Sequence, residues 1–443
     1  MKQNTFFSSL IKISVPIMLQ SLLQTFINML DTIMIGRLGS VEIAAVGLGN
    51  SFFFVLNMIL FGITSGGGVF IAQFWGKKDI KGIRKSLGIM LVLAVIVSAI
   101  FNLLAVLIPE QIMHLYSPDP DVIAVGAEYL RVVSFSYIVT AISIAYTLAL
   151  RGTEHVKLPF VATGISLVVN AVFNYIFIFI LGWGVAGAGA ATVISRLTEM
   201  FILIFFSYAR KYEPCGRLKE LFSFDLSFVG RFVKIALPVI INESFWGLGT
   251  SVNNAIFAHA GTDSITAYNI VNTISQLTWV FCMGFGNGNG VIIGKKIGEG
   301  EVETARSYAK RSLWFMPLVG AIVGVLLIPL SKTLPIFFNV SPDIIKTACN
   351  MLVVLMCMYP FNSFCMNWIV GVCRAGGDTT FAALVEILVM WGISIPLGAV
   401  AAFVWHLPAV WIYVCLLFSE SICKAILGLV RVLSGKWLHD VTK

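Results

Sequence analysis

Four polar side chains recur along an apolar stretch near the start of the chain. Gln20, Gln24, Asn28 and Asp31 follow one another at spacings of four, four and three residues, which places them on one face of a helix. Burial penalises the charged form of a carboxylate, so Asp31 is suited to accept a proton, or to bind sodium where other oxygens gather. The alternative is an aspartate at the outer end of a span that caps a helix or reaches water.

Amide and hydroxyl side chains farther along could complete a cation site around Asp31. Asn170 and Asn174 form an i,i+4 pair on one helical face, and Thr192 closes a run of glycines and alanines that permits close helix approach. Their oxygens are suitable cation ligands. The alternative is that the two asparagines only join helices by hydrogen bonds.

Glu243 is the second ionisable candidate for cation coupling. It shares an apolar stretch with Asn242, Trp246 and Asn253, and no lysine or arginine lies three or four residues away to pair with it. The other acidic residues within apolar stretches do have such neighbours, since Arg196 precedes Glu199 and Glu420 precedes Lys424. That spacing predicts internal ion pairs with a structural role.

These residues belong to a duplicated chain. Lys12-Ile13-Ser14-Val15-Pro16 returns as Lys234-Ile235-Ala236-Leu237-Pro238, an offset of 222 positions (238 − 16) that many later glycines also follow. The offset is half of the 443-residue length, so one ancestral unit has been duplicated and fused. Asn253 occupies the position equivalent to Asp31, which makes the two copies chemically unequal.

The composition requires a bilayer as solvent. Apolar residues make up 58% of the chain and charged residues only 12%, with a mean hydropathy of +0.91. Twelve apolar runs are long enough to cross about 30 Å of hydrocarbon, at 11–34, 50–74, 86–109, 124–150, 158–182, 186–208, 231–257, 268–293, 312–336, 346–372, 381–404 and 408–431. The predicted fold is an all-α polytopic membrane protein with two parallel six-helix repeats.

The duplication divides the chain into domains, and its basic residues orient it. The predicted N-terminal lobe covers 1–208, an inter-lobe linker 209–230, and the C-terminal lobe 231–443. Lysines and arginines gather in the loops after even-numbered spans, whereas the opposite loops carry three. By the positive-inside rule both termini and the linker are cytoplasmic, in the plasma or inner membrane. No signal-peptide cleavage site follows the first run.

Several other classes of protein do not fit the sequence. The +8 net charge follows the topology, so it does not indicate nucleic-acid binding. Neither a phosphate loop nor a metalloprotease or prenyl-diphosphate motif is present, which argues against an enzyme and against a cofactor. The eight cysteines form no C-x-x-C pair and are typical of small packing residues. Nothing requires more than a monomer.

Taken together, the motifs resemble the multidrug and toxic compound extrusion (MATE) family over almost the whole chain. They are Pro16 ahead of Asp31-Thr32, then Gly36-Arg37-Leu38-Gly39, Gly76-Lys77-Lys78-Asp79, Arg151-Gly152-Thr153 and Arg374-Ala375-Gly376-Gly377-Asp378. The resemblance implies two six-helix lobes that export organic, often cationic, or amphiphilic compounds in exchange for protons or sodium by alternating access. The alternative is a lipid-linked saccharide flippase of the same wider superfamily.

The resemblance also implies roles for individual residues. Asp31 corresponds to the family's first-helix carboxylate, with Asn170, Asn174 and Thr192 as its neighbours. Pro16 corresponds to a proline about which the first helix bends, and Pro238 is its repeat equivalent. Glu243 resembles a span-7 glutamate of one branch. One branch of the family has an aspartate at the position of Asn174, and another has a carboxylate in span 10. Neither is present here, so the resemblance does not decide between protons and sodium as the coupling ion. We expect the substrate cavity to be lined by Gln24, Asn28, Trp246 and Asn253.

Overall fold

The chain folds into helices. The structure is a computed structural model that describes residues 3–333 and 340–443. In these ranges the helices are α1 (Gln3–Ile35), α2 (Ser40–Lys77), α3 (Ile80–Leu107), α4 (Pro109–His114), α5 (Pro120–Val133), α6 (Phe135–Gly152), α7 (Lys157–Asn174), α8 (Gly184–Ala209), α9 (Leu218–Leu221), α10 (Leu226–His259), α11 (Thr262–Gly298), α12 (Val302–Thr333), α13 (Pro342–Met366), α14 (Thr379–Val389), α15 (Ile395–Phe403) and α16 (Ala409–Ser434).

Short π-helical stretches extend some of these helices. Tyr175–Ile180 continues α7, Asn367–Arg374 continues α13, and Met390–Ser394 joins α14 to α15. Within the described ranges the β pairing amounts to one isolated bridge, between Gly377 and Leu438. The all-α prediction is confirmed.

The membrane helices follow the predicted repeat. Ten helical stretches of the described residues are long and apolar enough to cross a membrane. The helices α10 and α11 are 34 and 37 residues long and correspond to α1 and α2 in the second copy. With these two, each copy contributes six membrane helices. The predicted end of the ninth span, residues 334–336, lies outside the described residues.

The fourth predicted span is not one continuous helix. The run predicted at 124–150 as one helix consists of α5 and α6, which meet at Ser134. The hydroxyl of Ser134 donates to the carbonyl of Arg131 at 3.1 Å, so the serine competes with the regular backbone pattern at this point. Apolar length alone did not reveal the break.

Contacts within the chain define two units. The first unit is Leu19–Ile240, and the second unit is Met1–Met18 together with Ile241–Lys443. Thus α1 contributes its early residues to the second unit, and α10 contributes its early residues to the first. The predicted domains follow the sequence repeat, whereas the contact units divide α1 and α10 at positions that are themselves 222 residues apart (240 − 18).

Close glycine contacts hold the early part of each divided helix. In the first unit, a Cβ added at Gly62 would lie 2.6 Å from the Cα of Ile240. In the second unit, a Cβ added at Gly284 would overlap Met18. Gly62 and Gly284 are 222 positions apart, and so are Met18 and Ile240. The two copies therefore form the same close helix–helix contact at a glycine.

Pro16 and Pro238 lie deeper in their helices than predicted. The predicted spans 11–34 and 231–257 place both prolines close to the start of their helices, and these starts are wrong. The polar residues before each apolar run are helical too, so α1 begins at Gln3 and α10 at Leu226. Each proline therefore removes a backbone hydrogen bond from the interior of a long helix.

The segment predicted as the inter-lobe linker is packed against the first unit. Arg84 of α3 pairs with Glu220 at 2.9 Å and donates through Nε to the carbonyl of Glu213 at 3.3 Å. His155 lies 2.7 Å from the Glu213 carboxylate. Leu221 is buried, and a Cβ at Gly88 would overlap its carbonyl oxygen. The segment is therefore an ordered part of the first unit.

Candidate functional site

Asp31 is bound by the two asparagines of α7. The Nδ2 of Asn174 donates to Oδ1 of Asp31 at 2.5 Å and to Oδ1 of Asn170 at 3.1 Å. The i,i+4 spacing on α7 presents both amides to the same face of α1. Both asparagines are 1% exposed, whereas Asp31 is only half-buried. The cluster thus combines a reachable carboxylate with rigid amide partners.

This cluster retains unused hydrogen-bonding groups. Among the described residues, the buried Oδ1 of Asn174 and the buried Nδ2 of Asn170 have no hydrogen-bond partner. An amide can turn to exchange its oxygen and nitrogen, so Asn174 can present either a donor or an acceptor to Asp31. A donor suits the ionised carboxylate, and an acceptor suits a protonated carboxyl group or a bound cation.

Other predicted members of the site form no hydrogen bond to Asp31 among the described residues. The hydroxyl of Thr192 donates to the carbonyl of Ala188 in its own helix at 3.0 Å, and no hydrogen bond among the described residues joins it to Asp31. Asn28 is exposed. Arg196, on the same helix as Thr192, is close enough to interact electrostatically with Asp31. The cluster observed in the structure is therefore Asp31, Asn170 and Asn174.

A buried hydrogen-bond chain continues from the polar face of α1. Arg151 donates to Oε1 of Gln20 at 2.7 Å, and Nε2 of Gln20 donates to Oγ1 of Thr163 at 3.0 Å. Thr163 in turn donates to Oε1 of Glu199 at 2.7 Å. The chain joins α6, α1, α7 and α8, so it fixes Gln20 and the helix that carries Asp31.

Arg196 closes this chain beside Gln24. Its Nη1 donates to Oε2 of Glu199 at 3.0 Å and to Oε1 of Gln24 at 3.1 Å. The predicted ion pair between Arg196 and Glu199 is confirmed. Gln24 and Gln20 therefore both face the ionic residues of the first unit, as their shared helical face predicts.

Glu243 has a strong partner that the sequence did not indicate. Arg374, in the π-helical stretch after α13, donates through Nη2 to Oε1 of Glu243 at 2.6 Å. Their side chains are only 6% and 14% exposed, respectively. The expectation that Glu243 lacks a basic partner is wrong, because the partner lies 131 residues away rather than on the same helix. Glu243 belongs to a buried ion pair.

Further buried charges surround Lys424 in the second unit. Its Nζ lies 2.7 Å from Glu420, as the i,i+4 spacing predicts, and 3.3 Å from Glu386. Asn242 also donates to Glu386, at 2.6 Å. With Glu243 and Arg374 these residues place three carboxylates and two cations among the interior helices.

The two ion networks occupy equivalent places in the repeat but differ in charge. Gln20 and Asn242 are 222 positions apart, and Arg151 and Arg374 are 223 apart. Thr163, which donates to Glu199, is replaced at the matching offset of 223 by Glu386, which accepts from Lys424. Carrying the repeat past one inserted residue would have identified Arg151 and Arg374 as a matched pair.

Of the predicted cavity residues of the second unit, Trp246 is half-buried and Asn253 is buried. Trp246 stacks on Trp279 with ring centroids 6.1 Å apart. Asn253, at the position equivalent to Asp31, is 8% exposed, and its Oδ1 has no partner among the described residues. The second unit thus carries an amide where the first carries its reachable carboxylate.

Comparison with known proteins covers both copies. A model of the MatE family matches residues 16–176 and 238–400. A probable multidrug resistance protein, YoeA of Bacillus subtilis, is 23% identical over 87% of this chain and 85% of its own length. A probable multidrug resistance protein, NorM of Thermotoga maritima, is also 23% identical, over 97% of this chain and 92% of its own length.

A solved structure shares the fold. The crystal structure of MATE in complex with MaL6 superposes with a TM-score of 0.88 over 97% of this chain and 96% of its own, at 19% identity. The family match extends over most of both repeats, and it agrees with the motifs around Asp31, Arg151 and Arg374. The chain belongs to the MatE family and is a membrane transporter rather than an enzyme.

Proposed function

We propose that this transporter exports organic, often cationic, or amphiphilic compounds in exchange for protons or sodium ions. The observation that carries the proposal is the half-buried Asp31 bound to Asn174 beside Asn170. A reachable carboxylate with adjustable amide partners can gain and lose one cation without dismantling its surroundings. The relatives named above as multidrug resistance proteins support the class of substrate.

In the proposed cycle, cation binding changes the hydrogen bonding of α1. Ionised Asp31 accepts from Asn174, whereas protonation adds a donor, and a sodium ion requires oxygen ligands. In both cases Asn174 must turn its oxygen toward Asp31 or release it. Because Asp31 is on α1 and Asn174 is on α7, this exchange alters a contact between helices. A change in this contact on cation binding would give the inward-facing and outward-facing conformations different stabilities, which alternating access requires.

The energy available is sufficient for drug accumulation. One elementary charge that moves inward down a potential of 100 mV supplies about 2.3 kcal/mol. Tight coupling of one such ion to one exported uncharged molecule would support accumulation against a gradient of about 50-fold. Export of a monovalent organic cation cancels this charge movement, so the concentration gradient of the coupling ion would drive it instead. A single coupling carboxylate is therefore enough in principle.

The flippase alternative finds little support in the basic residues. A lipid-linked pyrophosphate needs cations that are free to bind it. Arg196 is paired with Glu199, Lys424 with Glu420 and Glu386, and Arg131 with Glu110 at 3.4 Å. These three basic residues are thus engaged by carboxylates of the same unit, and Arg151 donates to the amide oxygen of Gln20.

Transport by the purified protein in liposomes tests this function. We would follow a fluorescent organic cation under an imposed proton gradient and, separately, an imposed sodium gradient, with protein-free liposomes as the control. Accumulation driven by either gradient supports the antiporter and identifies its ion. An absence of cation transport under both gradients, in liposomes whose protein remains folded by its melting temperature, would overturn the proposal.

A further inference from the structure

The first turns of α12 expose a basic face. Arg306, Lys310, Arg311 and Trp314 follow one another at spacings that keep them on one side of the helix. A recess of about 370 Å³ opens there, and its lining residues are Glu303, Arg306, Ser307, Lys310, Arg311 and Trp314. None of these lining residues belongs to the Asp31 cluster or to the ion network of the second unit.

The recess has more positive than negative charge. Arg306 pairs with Glu303 at 2.9 Å, and both side chains remain largely exposed. Lys310 is exposed, and the buried Nη1 of Arg311 has no hydrogen-bond partner among the described residues. Three cations therefore face one carboxylate. A buried guanidinium nitrogen without an acceptor is costly, so an anion at this position would be stabilised.

An apolar stripe continues from the basic face along the same helix. Trp314 is 82% exposed, and Leu318, Ile322 and Val325 follow at spacings of four, four and three residues, each more than half exposed. Tryptophan is enriched at the membrane interface, and exposed aliphatic side chains beyond it face the hydrocarbon. The face therefore changes from cationic to apolar over about three turns, which matches a phospholipid with its headgroup and acyl chains.

The first repeat satisfies the equivalent face with its own chain. Arg84 is the equivalent of Arg306, and it is held by the carboxylate of Glu220 and the carbonyl of Glu213. Gly88, the equivalent of Lys310, packs against the carbonyl of Leu221. The first repeat thus covers its face with acceptor groups from residues 213–221.

The second repeat holds its equivalent arginine differently. Arg306 pairs with Glu303 of its own helix. The chain after α16 also comes close to Arg306, since a Cβ added at Gly435 would lie 3.4 Å from its Nε. Lys310 and Arg311 also stand where the first repeat has Gly88 and Ile89, so the second face is more cationic.

We propose that an anionic phospholipid binds this face of α12. Its phosphate and headgroup would occupy the recess formed by Arg306, Lys310 and Arg311, and an acyl chain would follow Leu318 and Ile322. Zwitterionic lipids bind more weakly, because their ammonium group offsets the phosphate charge. The continuous apolar stripe favours a lipid over a soluble phosphate. The proposal does not depend on which ion or drug is transported.

Native mass spectrometry of the detergent-solubilised full chain tests the lipid site. The probes are dioleoylphosphatidylglycerol, dioleoylphosphatidylcholine and inorganic phosphate. We expect the phosphatidylglycerol to be retained preferentially. The combined substitution Lys310→Gln and Arg311→Gln should weaken its binding by about 30-fold, since each basic residue near an anionic lipid contributes about fivefold. Raising the salt concentration should weaken binding of the wild-type protein.

Two further variants separate a site from a general charge effect. Lys81→Gln with Lys219→Gln removes the same charge from exposed positions of the first unit and should retain the lipid. Lys310→Arg with Arg311→Lys keeps the charge of the face and should also retain it. Equal binding by the double-glutamine variant, equal retention of phosphatidylcholine, or full competition by inorganic phosphate would overturn the proposal.

Discussion

The carboxylates of the two units differ in what surrounds them. Asp31 has two neutral amides as its immediate partners, whereas Glu243 is in contact with the guanidinium of Arg374. A neutral partner leaves the charge of Asp31 available to a transported cation. The Arg374 cation already balances Glu243. We therefore propose that ion coupling takes place at Asp31 and that Glu243 has a structural role, although both were candidates for coupling.

Removal of Arg374 should destabilise the second unit. Arg374→Gln leaves Glu243 buried without its counter-charge, and breaking a buried pair in this way costs about 3–5 kcal/mol. Thermal unfolding in detergent should show a marked loss of stability. The double variant Arg374→Gln with Glu243→Gln should recover part of the loss. A double variant less stable than both single variants would contradict the ion-pair account.

Sequence spacing predicted some of these partners and missed others. Asn170 with Asn174 and Arg196 with Glu199 are three or four residues apart, and helical geometry alone brings such pairs together. Arg374 and Glu243 are on different helices, and their contact depends on tertiary packing. Arg151 lies just past the end of the predicted fourth span, 124–150, yet it belongs to α6 and donates to Gln20; this contact also depends on tertiary packing.

At the scale of elements, the linker is an ordered segment of the first unit. Cys215 lies within it and is 7% exposed. Burial raises the pKa of the Cys215 thiol to about 11. Since the thiolate is the nucleophile, a docked linker keeps this cysteine unreactive near neutral pH.

Gly88→Ala should release the linker. The added methyl group would overlap the carbonyl of Leu221, although alanine is otherwise the better helix former by up to about 1 kcal/mol. We expect faster alkylation of Cys215 by N-ethylmaleimide, measured on its own peptide by mass spectrometry. Gly47→Ala is the matched control, because nothing lies within 4 Å of its added Cβ. Equal alkylation rates in the two variants would refute linker docking at Gly88.

The interior prolines of α1 and α10 are proposed bend points. Pro16 and Pro238 each remove a hydrogen bond from within a long helix. Pro16→Ala should restore that bond, leave the melting temperature unchanged or higher, and lower the transport rate severalfold. Transport kinetics and thermal unfolding of the same preparation measure both effects. An unchanged rate would mean that helix bending at Pro16 does not limit transport.

The existence of these elements was more predictable than their limits. Apolar runs identified the membrane helices because the bilayer demands a minimum length. They did not show that α10 begins at Leu226 or that α5 ends before Ser134, since those limits depend on polar residues and local hydrogen bonds. The docking of residues 213–221 was equally hidden, because it arises from contacts with α3 and α6.

At the scale of the molecule, the distribution of basic residues predicts one orientation. Gln111 on α4 should face the exterior, and Lys436 after α16 should face the cytoplasm. In a background without the eight natural cysteines, Gln111→Cys should react with a membrane-impermeant maleimide in intact cells. Lys436→Cys should react only after permeabilisation. The reverse pattern would contradict cytoplasmic termini.

The duplication accounts for the shared architecture and also for its asymmetry. Both copies form the same close contacts at Gly62 and Gly284, so the repeat in sequence predicts a repeat in packing. The polar and charged side chains of the two copies nevertheless differ. Asp31 is matched by Asn253, and Thr163 by Glu386, which is why one copy is proposed to couple the ion while the other forms a buried ion network.

The most direct test of the account is gradient-driven accumulation of an organic cation by Asp31→Asn in liposomes. Glu128→Gln, an exposed carboxylate on α5, is the matched control, and melting temperatures verify folding. We expect the wild type and the control to accumulate the cation under the coupling gradient, whereas Asp31→Asn should only equilibrate it. Gradient-driven accumulation that survives Asp31→Asn would contradict the account and move the coupling site toward Glu243.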